Sequence, residues 1–365
     1  MCQIPYKVSI SHLPGSASVF VISFPTRKMV SLEAIRESNS RIATSLPPKL
    51  VAVFIGATSG IGETTLRNSV KLTRQPRIYF LGRREAEGNR IQADLKRINP
   101  GGEYYYLKYD VSLLEHVDAA CRHIQSQESA INLLFLSSGT LSSGTYTSEG
   151  LHYPTALTYY SRIRCVVNLL PQLRQSSSLR RVVTVFAGGK EGKVFTDDLQ
   201  GSQLGIASFR GHLTSMITLA FHTLSQQAPE VSFIHVYPGF VKTDLARELG
   251  GVTAAVAKIL LKPIMAVLHI PIEETGERQA YLATSARFPP ADSQVVDADG
   301  VALGQGNNVA VGVNGELGGG VYSIDYEGEG TSQGVQKLIQ WYIKDQTVDV
   351  VWKDMEEVFK RVSAT

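Results

Sequence analysis

Apolar residues along this chain gather in short dense runs, separated by longer stretches in which they return every third or fourth position. Val51–Ile55, Ile78–Leu81, Ile131–Gly139, Val182–Phe186 and Val231–Val236 are such runs, and EYYYLKYDVS (103–112) joins them. Their β-branched and aromatic content reads as buried strands. After the first run, Leu66 and Val70 stand four apart, as on one helix face; 88–98, Leu113–Gln125, Gly150–Leu173 and Gly211–Gln226 also read as helices. Strands alternating with helices predict an α/β fold, a Rossmann-like doubly wound parallel sheet with right-handed crossovers.

The pattern changes beyond Leu245. Val252–Ile272 is apolar but interrupted by Pro263 and Pro271, which predicts two short helices covering a cleft, within a cap over about 246–290. Lys258 and Lys262 lie inside that stretch, so it is not read as a transmembrane segment. Glu274–Ser285 reads as a returning helix, Pro289–Gly320 as loop, and GGVYSIDYEGE as a last strand. Val335, Leu338, Ile339, Tyr342 and Ile343 form one helical stripe, repeated by Val348, Val351, Trp352 and Met355. The division expected is an N-terminal extension over 1–48, partly disordered with one helix, a nucleotide-binding domain over 49–328, and C-terminal helices over 329–365. Residues 1–28 show little pattern, and the functional chain is expected to start near Met29, with Met1 as the other candidate.

A net charge of +3 over 365 residues gives no basic surplus of the kind nucleic acid demands. Cys2, Cys121 and Cys165 have no metal-ligand spacing and fit a reduced, cytoplasmic protein; no metal site is predicted.

Candidate chemistry begins where the first strand ends. Gly56, Gly60 and Gly62 punctuate the turn into the next helix. Glycines there allow backbone angles closed to other residues and let the chain approach a diphosphate, while the helix start offers unpaired N–H groups and a favourable dipole. The competing reading is a tight turn that binds nothing. Arg83 and Arg84 follow the second strand, where a doubly wound sheet meets the adenosine ribose. Arginines there favour the 2′-phosphate of NADP(H) over NAD; otherwise they are a solvated pair opening a helix. Asp110 could accept the adenine amino group or cap the next helix. The fourth strand ends in small residues, against which a cofactor could lie.

Together these features resemble the short-chain dehydrogenase/reductase family, over about Leu50–Leu245 and more loosely to Gly328. GATSGIG matches its cofactor turn, so the resemblance adds Thr58, Ser59 and Ile61 to the glycines. Asp110–Val111 matches its adenine-contacting pair, Ser137–Ser138–Gly139 in part its Asn-Ala-Gly, and YPGFVKT its PGxVxT segment. The last implies Pro238, Gly239, Val241 and Thr243 at the nicotinamide. The family's catalytic Ser, Tyr and Lys fall here on Ala187, Leu204 and Ser208, and its helix Asn on Thr158. No YxxxK occurs between Val182 and Pro238, where the only tyrosine is Tyr237. Tyr160 with Arg164 has Y-x-x-x-R spacing and reads as ordinary helix surface. Lys190 and His212 are the candidate acids that remain; the alternatives are a solvated loop lysine and a satisfied interface histidine.

The resemblance implies an NADP(H)-dependent oxidoreductase acting on a hydrophobic carbonyl or alkene. The Arg210–Gly211–His212 segment adds a fungal, polyketide-type secondary-metabolite setting. A non-redox cyclase or isomerase, or a non-catalytic nucleotide-binding partner, remains the alternative, given the lost triad. Family members often pair through their two long helices, so a homo-oligomer through Gly150–Leu173 and Gly211–Gln226 is expected.

Overall fold

The computed structural model describes residues 7–11, 19–23, 30–140, 142, 144–242, 269–293, 300–304 and 308–364. Strands β1 (Lys7–Ser11) and β2 (Val19–Ser23) pair with each other alone, antiparallel. The main sheet is built from β3 (Val51–Ile55), β4 (Arg77–Gly82), β5 (Glu103–Lys108), β6 (Leu133–Leu136), β7 (Arg181–Val185), β8 (Ser232–Val236) and β11 (Val321–Ile324), in the order β5-β4-β3-β6-β7-β8-β11. All six pairings are parallel. Every residue of β3, β6, β7, β8 and β11 is buried, which is why these strands are apolar at most positions rather than alternating. From β3 the chain builds outward through β4 and β5, then crosses back to β6. That reversal opens a crevice at the carboxyl ends of β3 and β6.

One sheet face is covered by α1 (Leu32–Ser40), α3 (Gly60–Leu72), α4 (Glu85–Ile98) and α9 (Ile272–Thr284), which bury Ile35, Leu66, Leu95 and Tyr281 against Phe54 and Phe80. Of the expected cap, residues 246–268, with most of the two expected short helices, lie outside the described ones. The described part is β10 (His269–Ile270), parallel to β9 (Phe240–Val241), and then α9, whose Gly276 packs on Thr64 and Asn68 of α3.

The other face carries α5 (Leu114–Gln127), α7 (Ser161–Arg174), α8 (Ile206–Gln227) and the C-terminal α10 (Gln333–Lys344) and α11 (Thr347–Ser363). The expected single helix over Gly150–Leu173 is broken up. A short turn, α6 (Tyr153–Thr155), takes Pro154 in its first positions, where a missing N–H costs nothing, and a π-helical turn over Ala156–Tyr160 precedes α7.

Tyr160 and Arg164 are not surface residues. Tyr160 is fully buried, and its hydroxyl donates to Asp354 Oδ2 of α11 at 2.7 Å. Arg164 forks onto Asp118 at 2.6 and 2.7 Å, donates to Ser363 Oγ at 2.9 Å, and lies 4.8 Å from the Phe359 ring centre. The stripe Val351, Met355, Val358 and Phe359 packs into the same core. The faces of α7 and α8 expected to meet a second copy therefore carry this chain's own C-terminal helices.

Candidate cofactor cleft and active site

The cleft starts at Gly56, which leaves β3 with φ +81°, and Gly60 opens α3 with φ +57°. Both values lie in the left-handed region that glycine tolerates best. A Cβ on Gly56 would sit 2.7 Å from Ser138 Cα, and one on Gly62 would sit 2.9 Å from Ala57 Cα and closer still to the Gly56 carbonyl. Both glycines therefore let three backbone segments meet without side chains between them. Ser59 precedes α3 but makes no side-chain capping bond, so the first N–H groups of the helix are left for another acceptor. Thr58, Ser59, Gly60 and Ile61 are all partly open to solvent. This cradle fits a diphosphate, on the physical grounds of free donors and a helix dipole.

At the adenosine end, Arg83 and Arg84 are exposed just past β4. Arg83 donates to the Tyr153 hydroxyl at 3.1 Å and lies 3.7 Å from Asp110 Oδ2. Asp110 turns its other oxygen to the Ser112 N–H at 3.0 Å and the Ser112 hydroxyl at 2.8 Å. It does not cap α5: Glu149 does, accepting from Leu114 N and Glu115 N at 2.9 and 3.0 Å. Val111 beside it is buried.

At the end where the resemblance places the nicotinamide, Ser138 and Gly139 follow β6, and Pro238, Gly239 (φ +79°) and Val241 follow β8. Thr243 lies outside the described residues. Thr158 is buried inside the π-helical turn. The three triad positions scatter in environment: Ala187 is buried, Leu204 half-buried and Ser208 exposed on the first turns of α8. None of the three carries a group that can pass a proton at this edge; Ser208 is the only hydroxyl.

Beneath this end lies a buried polar hub that periodicity could not reveal. Arg162 is fully buried and ties the ends of β6 and β7 together. It donates to Thr184 Oγ1 at 2.6 Å, to the Val185 carbonyl at 2.9 Å, and to the Ser138 carbonyl. Burial without a carboxylate partner pulls its pKa down to about 9. The only sequence signal was a charge between apolar neighbours, in TYYSRIRCVV. His235, fully buried in β8, accepts from the Ala187 N–H at Nε2 (3.3 Å) and meets Thr218 Oγ1 at Nδ1 (3.0 Å). Burial, then the nearby Arg162 charge, holds its pKa down to about 3, so the ring stays neutral.

Glu191 completes the hub. One oxygen accepts from Thr218 (2.9 Å) and Ser323, while the other has no partner among the described residues. Burial raises its pKa. The folded state then holds the proton more tightly than the unfolded chain. Its contribution to stability is full below the ordinary glutamate range and is lost as pH rises through the folded value. Glu191→Gln is expected to flatten the fall in urea-unfolding stability between pH 5 and pH 8; an unchanged slope would place the titration elsewhere.

The two candidate acids differ sharply. His212 is fully buried; its Nδ1 accepts from the Phe195 N–H at 3.1 Å and its Nε2 faces the Leu199 carbonyl at 3.1 Å. Both nitrogens hold backbone, and burial lowers its pKa. Lys190 is exposed on the loop after β7, its ammonium 5.6 Å from the ring centre of Tyr237. Tyr237 directly precedes the Pro238–Val241 segment, and the sequence alone gives it no role.

Sheet order, glycine turn and open helix start define a doubly wound protein of the dinucleotide-binding class. The model of the family described as short chain dehydrogenase matches residues 50–251, and the chain belongs to that family and is an oxidoreductase of this class. It is 35% identical to "Oxidoreductase andH" of Emericella variicolor over 341 residues, covering 92% of this chain and 99% of the relative. It is 35% identical to "Oxidoreductase AN1596" of Emericella nidulans over 334 residues, covering 90% and 98%. Among solved structures, L-sorbose reductase from Gluconobacter frateurii, complexed with NADPH and L-sorbose, shares the fold at TM-score 0.52 and 17% identity, over 70% of this chain and 94% of that one. No helix among the described residues is long and apolar enough to cross a membrane.

Proposed function

We propose that this chain is an NADP(H)-dependent oxidoreductase that acts on a hydrophobic carbonyl or alkene, in polyketide-type secondary metabolism. The observation that carries the cofactor reading is the uncapped amino end of α3 behind Gly56 and Gly62. Arg83 supports NADP(H): its guanidinium could leave Tyr153 for a 2′-phosphate and gain a charge-assisted fork. The hydrophobic substrate is supported by Tyr146 after β6, Ile206 at the start of α8 and Phe240 in β9, exposed at 60%, 81% and 47%.

When bound, the reduced nicotinamide supplies a hydride; the chain's own residues position it and exclude water. Ser138, Gly139, Pro238, Gly239 and Val241 would line its ring, and Arg162 fixes the β6 and β7 ends beside them. Titration of the full chain with NADPH and NADH by nucleotide fluorescence tests the reading. Arg83→Ala is expected to weaken NADPH about tenfold or more, the loss of one charge-assisted contact, and to spare NADH. Absence of binding by both cofactors removes the redox reading. Product formation without change in nicotinamide absorbance would replace it by a cyclase or isomerase on the same cleft.

A further inference from the structure

With Ala187, Leu204 and Ser208 at the triad positions and His212 locked by backbone, a reduction in this cleft lacks a proton source. Two side chains meet at the right edge of the sheet. Tyr237 follows β8 directly, and its N–H donates to the Ile324 carbonyl at 2.9 Å, which fixes it at the carboxyl end of the strands. It is half-buried, its ring meets Phe240 edge-on at 6.4 Å, and its hydroxyl has no hydrogen-bond partner among the described residues.

Lys190 is brought to it by a loop with little freedom. The Ala187 N–H is held by His235, the Gly189 N–H donates to Ser323 Oγ at 2.7 Å, and the Lys190 N–H closes a turn on the Ala187 carbonyl at 3.0 Å. A Cβ on Gly188 would come within 2.8 Å of the His235 carbonyl carbon, so only glycine lets the loop lie this close to β8. The lysine ammonium then reaches 5.6 Å from the Tyr237 ring centre. Arg210 of α8 places a second positive charge near the same phenol. Besides these two cations, Tyr326 approaches through Gly239, whose added Cβ would meet its ring at 3.2 Å.

We propose that Tyr237 is the proton donor of this cleft and Lys190 its charge partner, together replacing the tyrosine and lysine missing at 204 and 208. The proposal rests on the oxidoreductase reading above. In carbonyl reduction the substrate carbon gains a C–H bond and the C=O π pair moves to oxygen. The Tyr237 O–H gives its proton to that oxygen, the substrate is reduced by two electrons and the cofactor is oxidised. Lys190 and Arg210 stabilise the tyrosinate until water returns the proton. Burial raises the phenol pKa, so the group is protonated and ready to donate at neutral pH.

The test introduces 3,5-difluorotyrosine at position 237 of the full chain and follows its ionisation by fluorine NMR without cofactor. Its two fluorines make the phenol more acidic than that of tyrosine and report its ionisation directly. Lys190→Met is expected to raise the midpoint by about half a pH unit or more, because a nearby positive charge favours the phenolate. An unmoved midpoint overturns the proposal. In parallel, Tyr237→Phe and Lys190→Met are titrated with NADPH, so that any loss of cofactor binding is separated from loss of turnover. NADPH consumption with 9,10-phenanthrenequinone as carbonyl probe should fall about 100-fold in Tyr237→Phe, and a wild-type rate there also overturns the proposal. If the midpoint moves while the wild-type chain binds no NADPH, the redox reading falls and the tyrosine–lysine couple stands as the acid of a different reaction.

Discussion

Gly62→Val is expected to leave a folded protein that no longer binds NADPH saturably in a fluorescence titration. The added Cβ would lie 2.9 Å from Ala57 Cα and nearer to the Gly56 carbonyl, so the opposing atoms are backbone and cannot rotate away. The first turn of α3 must then back off from the end of β3. Overpacking of this kind costs about 1–3 kcal/mol of stability. The effect on binding should be larger, about 100-fold or more, because several N–H donors move together and a displacement near 1 Å breaks each geometry. Circular dichroism separates the two effects. Saturable binding within about threefold of wild type would mean that the diphosphate lies elsewhere.

The second large effect is expected from α11. Val351, Met355, Val358 and Phe359 are each at most 7% exposed, and they cover α7 and α8. Met355→Ala should cost about 2–5 kcal/mol in urea unfolding, as for other large core truncations. Asp354→Ala should cost about 1–3 kcal/mol by stranding the buried Tyr160 hydroxyl. Removing residues 345–365 would strip the whole face, and the truncated chain should self-associate or precipitate. The intact chain is expected to run as a single copy in light scattering. A dimer that survives with α11 in place would show that pairing uses another surface.

How much of this was legible in the sequence depended on distance along the chain. The β3–turn–α3 unit could be read outright, because its strand run, glycine spacing and helical stripe lie within some twenty residues and each obeys a local rule. The C-terminal helices were legible as amphipathic stripes, but nothing local said which surface they cover. Tyr160 and Arg164 were therefore placed on the surface, and their partners Asp354 and Ser363 come from the far end of the chain. The break at Ala156–Tyr160 was equally hidden, since a π turn leaves the apolar spacing almost intact. His235, Thr218, Glu191 and Ser323 become one network, with Arg162 tying β6 to β7 beside it, only after β6, β7, β8 and β11 are side by side. Lys190 and Tyr237 meet for the same reason: the loop after β7 and the end of β8 are neighbours in the sheet and not in the sequence.

The placement of α11 has a consequence for biosynthesis. This helix follows every strand of the main sheet in the chain and seals the core shared by α5, α7 and α8, so a growing polypeptide cannot finish that layer until α11 itself has been made. A stop codon or frameshift just ahead of α11, far from any residue that would touch nucleotide, should therefore behave genetically as a complete knockout.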